Sequence, residues 1–121
     1  MAETILGGKR WLRLRIYVDE SDRYKGKPLY LYILHTLKRM GVKGATVYRA
    51  IAGYGSHSMI HTADILRLSE DLPVVVEVVD EEEAVKKAAG EILKIVEEGL
   101  VTVEPVEVLF YGHRREEGRE G

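Results

Sequence analysis

The alternation of apolar and polar residues predicts four β-strands in this chain. The first covers residues 11–18, where one face carries Leu12, Leu14, Ile16 and Val18 and the other carries Trp11, Arg13, Arg15 and Tyr17. This is the pattern of a half-buried strand. β-Branched and aromatic residues predict a second strand over 45–52 and a third over 72–79. A fourth is expected over 100–111, and Pro105 within it favours an edge position or a bulge, because proline cannot donate a backbone hydrogen bond.

Two other segments repeat apolar residues at the spacing of an α-helix. The first has Pro28 at its first helical position and ends at Gly41, and its apolar stripe comprises Tyr30, Ile33, Leu34, Leu37 and Met40. The second is expected to have Asp80 as its N-cap and Glu83 as the capping-box partner, and to continue to Gly99. The order of elements is therefore β-α-β-β-α-β.

This order predicts an α+β fold of the ferredoxin-like type. Right-handed crossovers give a four-stranded antiparallel sheet with both helices on one face. We expect a single domain over residues 10–111, preceded by a flexible segment, 1–9, and followed by a disordered charged tail, 112–121. The face without helices must meet water, a ligand or another subunit. Its apolar content favours an oligomer, and a solvated face shielded by long charged side chains is the alternative.

Composition limits the functions that are open to the chain. It has 121 residues, no cysteine, and 18 basic against 20 acidic residues. Disulfides and thiolate metal sites are thus excluded, and a nucleic-acid surface is disfavoured. Asn and Gln are also absent, which fits adaptation to high temperature. No apolar run approaches the roughly 18 residues of a membrane span, and residues 1–8 lack the apolar core of a signal peptide, so we predict a soluble, cytoplasmic protein.

The segment of residues 53–68, between the second and third strands, is the candidate functional region. It is long and rich in Gly, His, Ser and Thr, and ordering such a loop costs conformational entropy. Gly53 and Gly55 would let backbone amides approach a phosphate, and Arg49 would add a cation that can pair with it. A plain turn and a surface arginine are the alternatives, because the Gly-x-Gly spacing is not a full nucleotide-binding fingerprint.

Two histidines of this segment raise a divalent metal as an alternative ligand. His57 and His61 would share one face of a helix, and Asp64 could be a third ligand. A short helical turn is possible between residues 61 and 69. The same histidines could instead contact a small ligand or a neighbouring subunit, or lie on the surface.

No set of residues predicts catalysis. Ser56 and Ser58 have histidines near them in sequence, but sequence proximity does not form a triad. Asp19, Glu20 and Asp22 cluster before the first helix and could act as acids or bases, but we favour a solvated acidic turn as their explanation. We therefore predict that the protein is not an enzyme.

Four stretches of the chain resemble the DUF190 (UPF0166) family of prokaryotic PII-like proteins. They are RIYVDESDRYKGKPLY, GVKGATVYRAIAGYG, IHTADILRLSEDLPVVVEVVD and GLVTVEPVEV, in that order, and the resemblance covers residues 10–110. The residues that match the motifs of this family are Arg49 in the second strand, Gly53, Tyr54 and Gly55 in a Gly-aromatic-Gly element, and His61 and Thr62 in an Ile-His-Thr element. Ala50 stands where the family is expected to have glycine.

This resemblance implies a function as well as a fold. PII-like proteins are trimers of ferredoxin-like subunits assembled around their sheets, and the segment between their second and third strands responds to effectors. Its base lines a nucleotide site between subunits. The resemblance therefore implies a homotrimeric regulatory protein that binds an adenine nucleotide as an effector, with Tyr24 or Tyr54 stacking on the base. It also implies a protein partner such as a transporter or an enzyme, and it implies no required cofactor.

Overall fold

A computed structural model of the chain describes residues 5–6, 8–54, 61–62 and 72–112. The elements within these residues are β1 (Ile5–Leu6), β2 (Lys9–Asp19), β3 (Arg23–Tyr24), β4 (Lys27–Pro28), α1 (Leu29–Arg39), β5 (Thr46–Arg49), β6 (Ala52–Gly53), β7 (His61–Thr62), β8 (Pro73–Glu81), α2 (Glu82–Ile92) and β9 (Leu100–Val106).

Four of these strands form the main antiparallel sheet, in the order β9-β2-β8-β5, and β1 pairs with the first residues of β2. Strand β2 is central, with Trp11 opposite both Glu81 of β8 and Val106 of β9. The main strands thus follow the spatial order fourth, first, third, second along the chain. This is the ferredoxin-like arrangement, and the predicted fold class is confirmed.

Both helices pack on the same face of this sheet. The apolar positions of β2 are buried, as Leu14 and Ile16 show, while the intervening Arg13 and Arg15 are only partly buried. A single hydrophobic cluster joins β2 and β8 to the two helices, and its helical members are Leu29, Ile33, Leu37, Val85, Ala88 and Ile92. Burial of each large aliphatic side chain contributes about 1.5–3 kcal/mol, so this layer is the main source of stability.

The two helices begin and end differently from the prediction. Pro28 is the N-cap of α1 rather than its first residue, whereas Gly41 follows the helix with φ +84°, as a helix stop requires. Helix α2 ends at Ile92 and not near Gly99. Beyond it, the amide of Lys94 bonds to the carbonyl of Glu91, three residues back, so the chain tightens into turns. Neither described helix is long and apolar enough to cross a membrane.

The predicted capping role of Asp80 is wrong. Asp80 lies within β8, its residue is 0% exposed, and the N-cap of α2 is Glu81, which makes no side-chain capping bond. The reason is that the carboxylate of Asp80 accepts other hydrogen bonds, from the backbone amide of Lys43 at 2.9 Å, from Lys43 Nζ at 3.1 Å, and from the Glu81 amide at 2.7 Å. It therefore connects β8 to the loop that follows α1.

The second and fourth strands are shorter than predicted. Strand β5 ends at Arg49, opposite Val74, and the amide of Ala50 then bonds to the carbonyl of Pro73. Pro73 has no amide hydrogen to return, so the regular ladder stops there. Strand β9 ends at Val106, five residues before the predicted boundary. Within the described residues it pairs only with β2, which confirms the edge position inferred from its proline.

Candidate functional site

The end of the sheet from which residues 53–72 depart holds the predicted arginine. Arg49 is the last residue of β5, and Glu20 directly follows β2. Arg49 Nη2 donates a hydrogen bond to Glu20 Oε2 at 2.6 Å, and the side chains are 57% and 18% exposed, respectively. Among the described residues, the arginine thus has one carboxylate partner, and it keeps much of its surface open to solvent.

A small hairpin brings the two motif elements together. Strands β6 and β7 pair antiparallel, with Gly53 opposite His61 and Ala52 opposite Thr62. Tyr54 follows β6 with its side chain 69% exposed. The first two residues of the segment in which a helical turn was considered, His61 and Thr62, form a strand instead. The helical spacing that motivated a His57–His61 metal pair therefore does not apply at His61.

Other predicted residues of this segment lie outside the described part of the chain. They are Gly55, Ser56, His57, Ser58 and Asp64, so their roles remain predictions. Among the described residues, no group of three or more His, Cys, Asp or Glu side chains is placed to hold a metal ion.

Gly53 approaches Pro73 closely. A Cβ atom at Gly53 would lie 2.9 Å from Cγ of Pro73, a distance that requires the ring or the backbone to move. Gly53 therefore has a steric role at the point where the hairpin leaves the sheet, in addition to any contact of its amide with a ligand.

Tyr24 lies apart from these residues in its described contacts. It packs against the hydrophobic cluster, and its ring meets that of Tyr32 edge-on at a centroid distance of 4.6 Å. Lys25 Nζ lies 5.5 Å from the Tyr24 ring centroid. No described contact joins Tyr24 to Arg49 or Gly53, so its proposed stacking on a base remains a prediction.

Glu20 is the site residue that sequence reasoning missed. The acidic segment 19–22 was explained as a solvated turn, and this is wrong for Glu20, whose side chain is only 18% exposed and ion-paired. Glu20 and Arg49 are 29 positions apart in the sequence, so no local pattern indicates their contact. Only the pairing of β2 and β5 with β8 between them could have indicated the contact.

The face of the sheet opposite the helices carries a network of four charged side chains. Glu77 Oε2 lies 3.3 Å from Arg13 Nε and 3.1 Å from Arg15 Nε. Glu104 Oε2 lies 2.6 Å from Arg13 Nη1 and 4.0 Å from Arg15 Nη1. Desolvation lowers the pKa of Arg15, but the hydrogen bond and charge of Glu77 outweigh it, and the net result is a raised pKa. The four charges of this network therefore balance, although the buried Arg13 Nε makes no hydrogen bond among the described residues.

The sequence matches a family model over most of its length. Residues 11–108 match DUF190, described as "Uncharacterized ACR". A UPF0166 protein from Aquifex aeolicus is 47% identical to the chain over 97 residues, which cover 80% of this chain and 91% of that relative.

Solved structures share the fold at lower identity. CPII, a nitrogen regulatory PII-like protein from Thiomonas intermedia K12 bound to ADP, AMP and bicarbonate, superposes with a TM-score of 0.59 at 21% identity, covering 82% of this chain and 94% of that one. The divalent ion tolerance protein CutA1 from Ehrlichia chaffeensis superposes with a TM-score of 0.55 at 12% identity, covering 86% of both chains. At these identities the likeness shows the fold alone.

Proposed function

The chain belongs to the DUF190 family, and from this membership and its PII-like fold we propose that it is a regulatory protein that binds an adenine nucleotide as a small anionic effector. We propose a homotrimer with the effector in the cleft between subunits, at the base of residues 53–68. The ligand class follows from the site and from CPII, which has the same fold and is bound to ADP and AMP.

The placement of Arg49 beside the β6–β7 hairpin carries this proposal. The Arg49 side chain is 57% exposed and its guanidinium would pair with a phosphate, while the amides of Gly53 and Gly55 would approach the phosphate oxygens. The exposed ring of Tyr54, or that of Tyr24, would stack on the adenine. His61 and Thr62 lie on the neighbouring strand of the hairpin and would supply further polar contacts.

The open face of the sheet supports the assembly. It carries half-buried and exposed apolar side chains, including Tyr48 at 43% and Leu100 at 55% exposure. The Arg13–Arg15–Glu77–Glu104 network pairs two positive with two negative charges, so a second copy could cover this face without enclosing a net charge from the network, and the buried Arg13 Nε, which makes no hydrogen bond among the described residues, could find an acceptor there. Assembly around this face would place the edge that carries Arg49 next to another subunit.

Effector binding would act as a switch. A nucleotide held by Arg49 and the hairpin would fix the conformation of residues 53–68, and this segment would then present a different surface to a transporter or an enzyme. In this mechanism the protein performs no chemistry on the nucleotide, and we assign no catalytic residue.

Isothermal titration calorimetry with AMP, ADP and ATP tests the proposal. We expect one site per subunit for at least one nucleotide. Arg49→Gln should bind it about 10- to 100-fold more weakly, which corresponds to the loss of one charge-assisted hydrogen bond. Arg10→Gln is the matched control, because Arg10 pairs with Glu82 at the other end of the sheet. Absence of heat and of any thermal shift with all three nucleotides would refute the proposal.

A further inference from the structure

The guanidinium of Arg49 is held by Glu20 before any effector arrives. Glu20 is fixed by its backbone, since its amide donates to the carbonyl of Leu72 at 2.9 Å. Its side chain is 18% exposed, whereas that of Arg49 is 57% exposed. The carboxylate is thus part of the rigid end of the sheet, and the arginine is the accessible member of the pair.

This geometry affects how an anion can bind. The contact engages Nη2 of Arg49, and a guanidinium has five N–H donors, so donors remain for a phosphate. A phosphate on those donors would, however, lie within a few ångströms of the Glu20 carboxylate. Two negative charges at that separation repel each other, and partial burial of one of them limits screening by salt.

We propose that Glu20 is a positioning residue that holds Arg49 in the effector-free protein and competes with the phosphate for it, which weakens effector binding. This inference rests on the function proposed above and adds the group that sets the affinity of the site. The repulsion rises with the charge of the ligand, so Glu20 disfavours ATP more than AMP when both are free of metal.

Calorimetry on Glu20→Gln tests this inference. The variant keeps the size of the side chain and removes its charge. We expect AMP, ADP and ATP to bind about two- to five-fold more tightly, the range typical of one partly exposed ion pair, with the largest gain for ATP. The matched control is Glu82→Gln, which removes the same charge at the start of α2, after the far end of β8, and should leave the affinity unchanged.

A double-mutant cycle separates competition for Arg49 from a general effect of charge. If Glu20 acts through Arg49, its removal should bring no gain in the Arg49→Gln background. The inference would be overturned if Glu20→Gln gave a similar gain in affinity in the Arg49→Gln background, or no gain in the wild-type background. Nucleotide binding by the wild type would still support the proposed function in either case. Absence of binding in both the wild type and Glu20→Gln would overturn both. Thermal unfolding of each variant checks that the fold is intact.

Discussion

At the scale of the residue, the pair of Asp80 and Lys43 anchors the loop after α1. Asp80 has a side chain that is 1% exposed, and Lys43 Nζ lies 3.1 Å from it and 5.6 Å from the centroid of the Trp11 ring. The hydrogen bond that Lys43 donates to Asp80 is the main cause of the raised pKa of Lys43. Without the Lys43 ammonium, the buried Asp80 carboxylate would keep two backbone donors among the described residues, the amides of Lys43 and Glu81.

Replacement Lys43→Met should destabilise the protein in a pH-dependent way. We expect a loss of about 1–2 kcal/mol at pH 7, the value of a charge-assisted hydrogen bond reduced for the partial exposure of Lys43. The pKa of Lys43 is raised above its ordinary value of 10.5 in the folded state. The stabilisation that Lys43 provides is therefore complete below about pH 10.5 and is lost as the pH rises through the pKa of the folded state. Urea unfolding at pH 7, 9 and 11 measures both effects.

Lys94→Met is the control for this prediction. Lys94 pairs with Glu91 at 3.2 Å on the surface of the molecule, and its side chain is 70% exposed, so its loss should change stability by less than about 0.5 kcal/mol. If the difference in unfolding free energy between the wild type and Lys43→Met stays constant up to pH 11, the stabilising role assigned to the Lys43 ammonium would be contradicted.

At the scale of the element, the β6–β7 hairpin shapes the candidate site. It pairs Gly53 with His61 and so places the two motif elements side by side. Its exit from the sheet is set by Pro73, which ends the β5 ladder and leaves no room for a side chain at Gly53. The hairpin thus depends on a steric fit between two residues as well as on its hydrogen bonds.

Gly53→Ala should disturb this fit. We expect a loss of about 1–3 kcal/mol in the free energy of unfolding, typical of overpacking, and weaker nucleotide binding. Gly44→Ala is the matched control, because a Cβ atom at Gly44 meets nothing within 4 Å. The double variant Gly53→Ala/Pro73→Ala lacks the Cγ atom that would clash. Thermal unfolding should therefore show a smaller loss of stability than the sum of the losses in the two single variants. Strict additivity would argue against the clash.

The elements could be predicted from the sequence where periodicity is strong, but several of their ends could not. The alternation in β2 and the apolar stripes of both helices are local patterns, and each was found. The end of β5 and the role of Asp80 depend on Pro73 and Lys43, which are distant in sequence. For the same reason the residue types identified Arg49 and Gly53 as site candidates, whereas Glu20 required the sheet register that brings it to Arg49.

At the scale of the whole molecule, the open face of the sheet is the surface through which we propose that subunits assemble. Two helices cover one face, and the order of elements alone predicted that the other would be left free. The structure places a self-balanced ion network there, which suits a surface that another subunit covers. The trimer itself, and adaptation to high temperature, remain predictions.

Charge reversal at the centre of this face should prevent assembly. Arg15→Glu would place an acidic group beside Glu77, which lies 3.1 Å from the arginine now, and would leave an unbalanced charge in the interface. Light scattering should give three times the 13.7 kDa chain mass for the wild type and a smaller mass for the variant. Lys86→Glu, on the exposed side of α2, should stay trimeric. A monomeric wild type would contradict the assembly.

The most direct test of the central claim is a crystal structure of the protein with the adenine nucleotide that binds most tightly. We predict density for the nucleotide between two subunits, with phosphate oxygens at hydrogen-bonding distance, about 2.7–3.2 Å, from the Arg49 guanidinium and next to the Gly53 backbone. A nucleotide bound away from Arg49 and Gly53, or an empty cleft at saturating nucleotide, would contradict the claim.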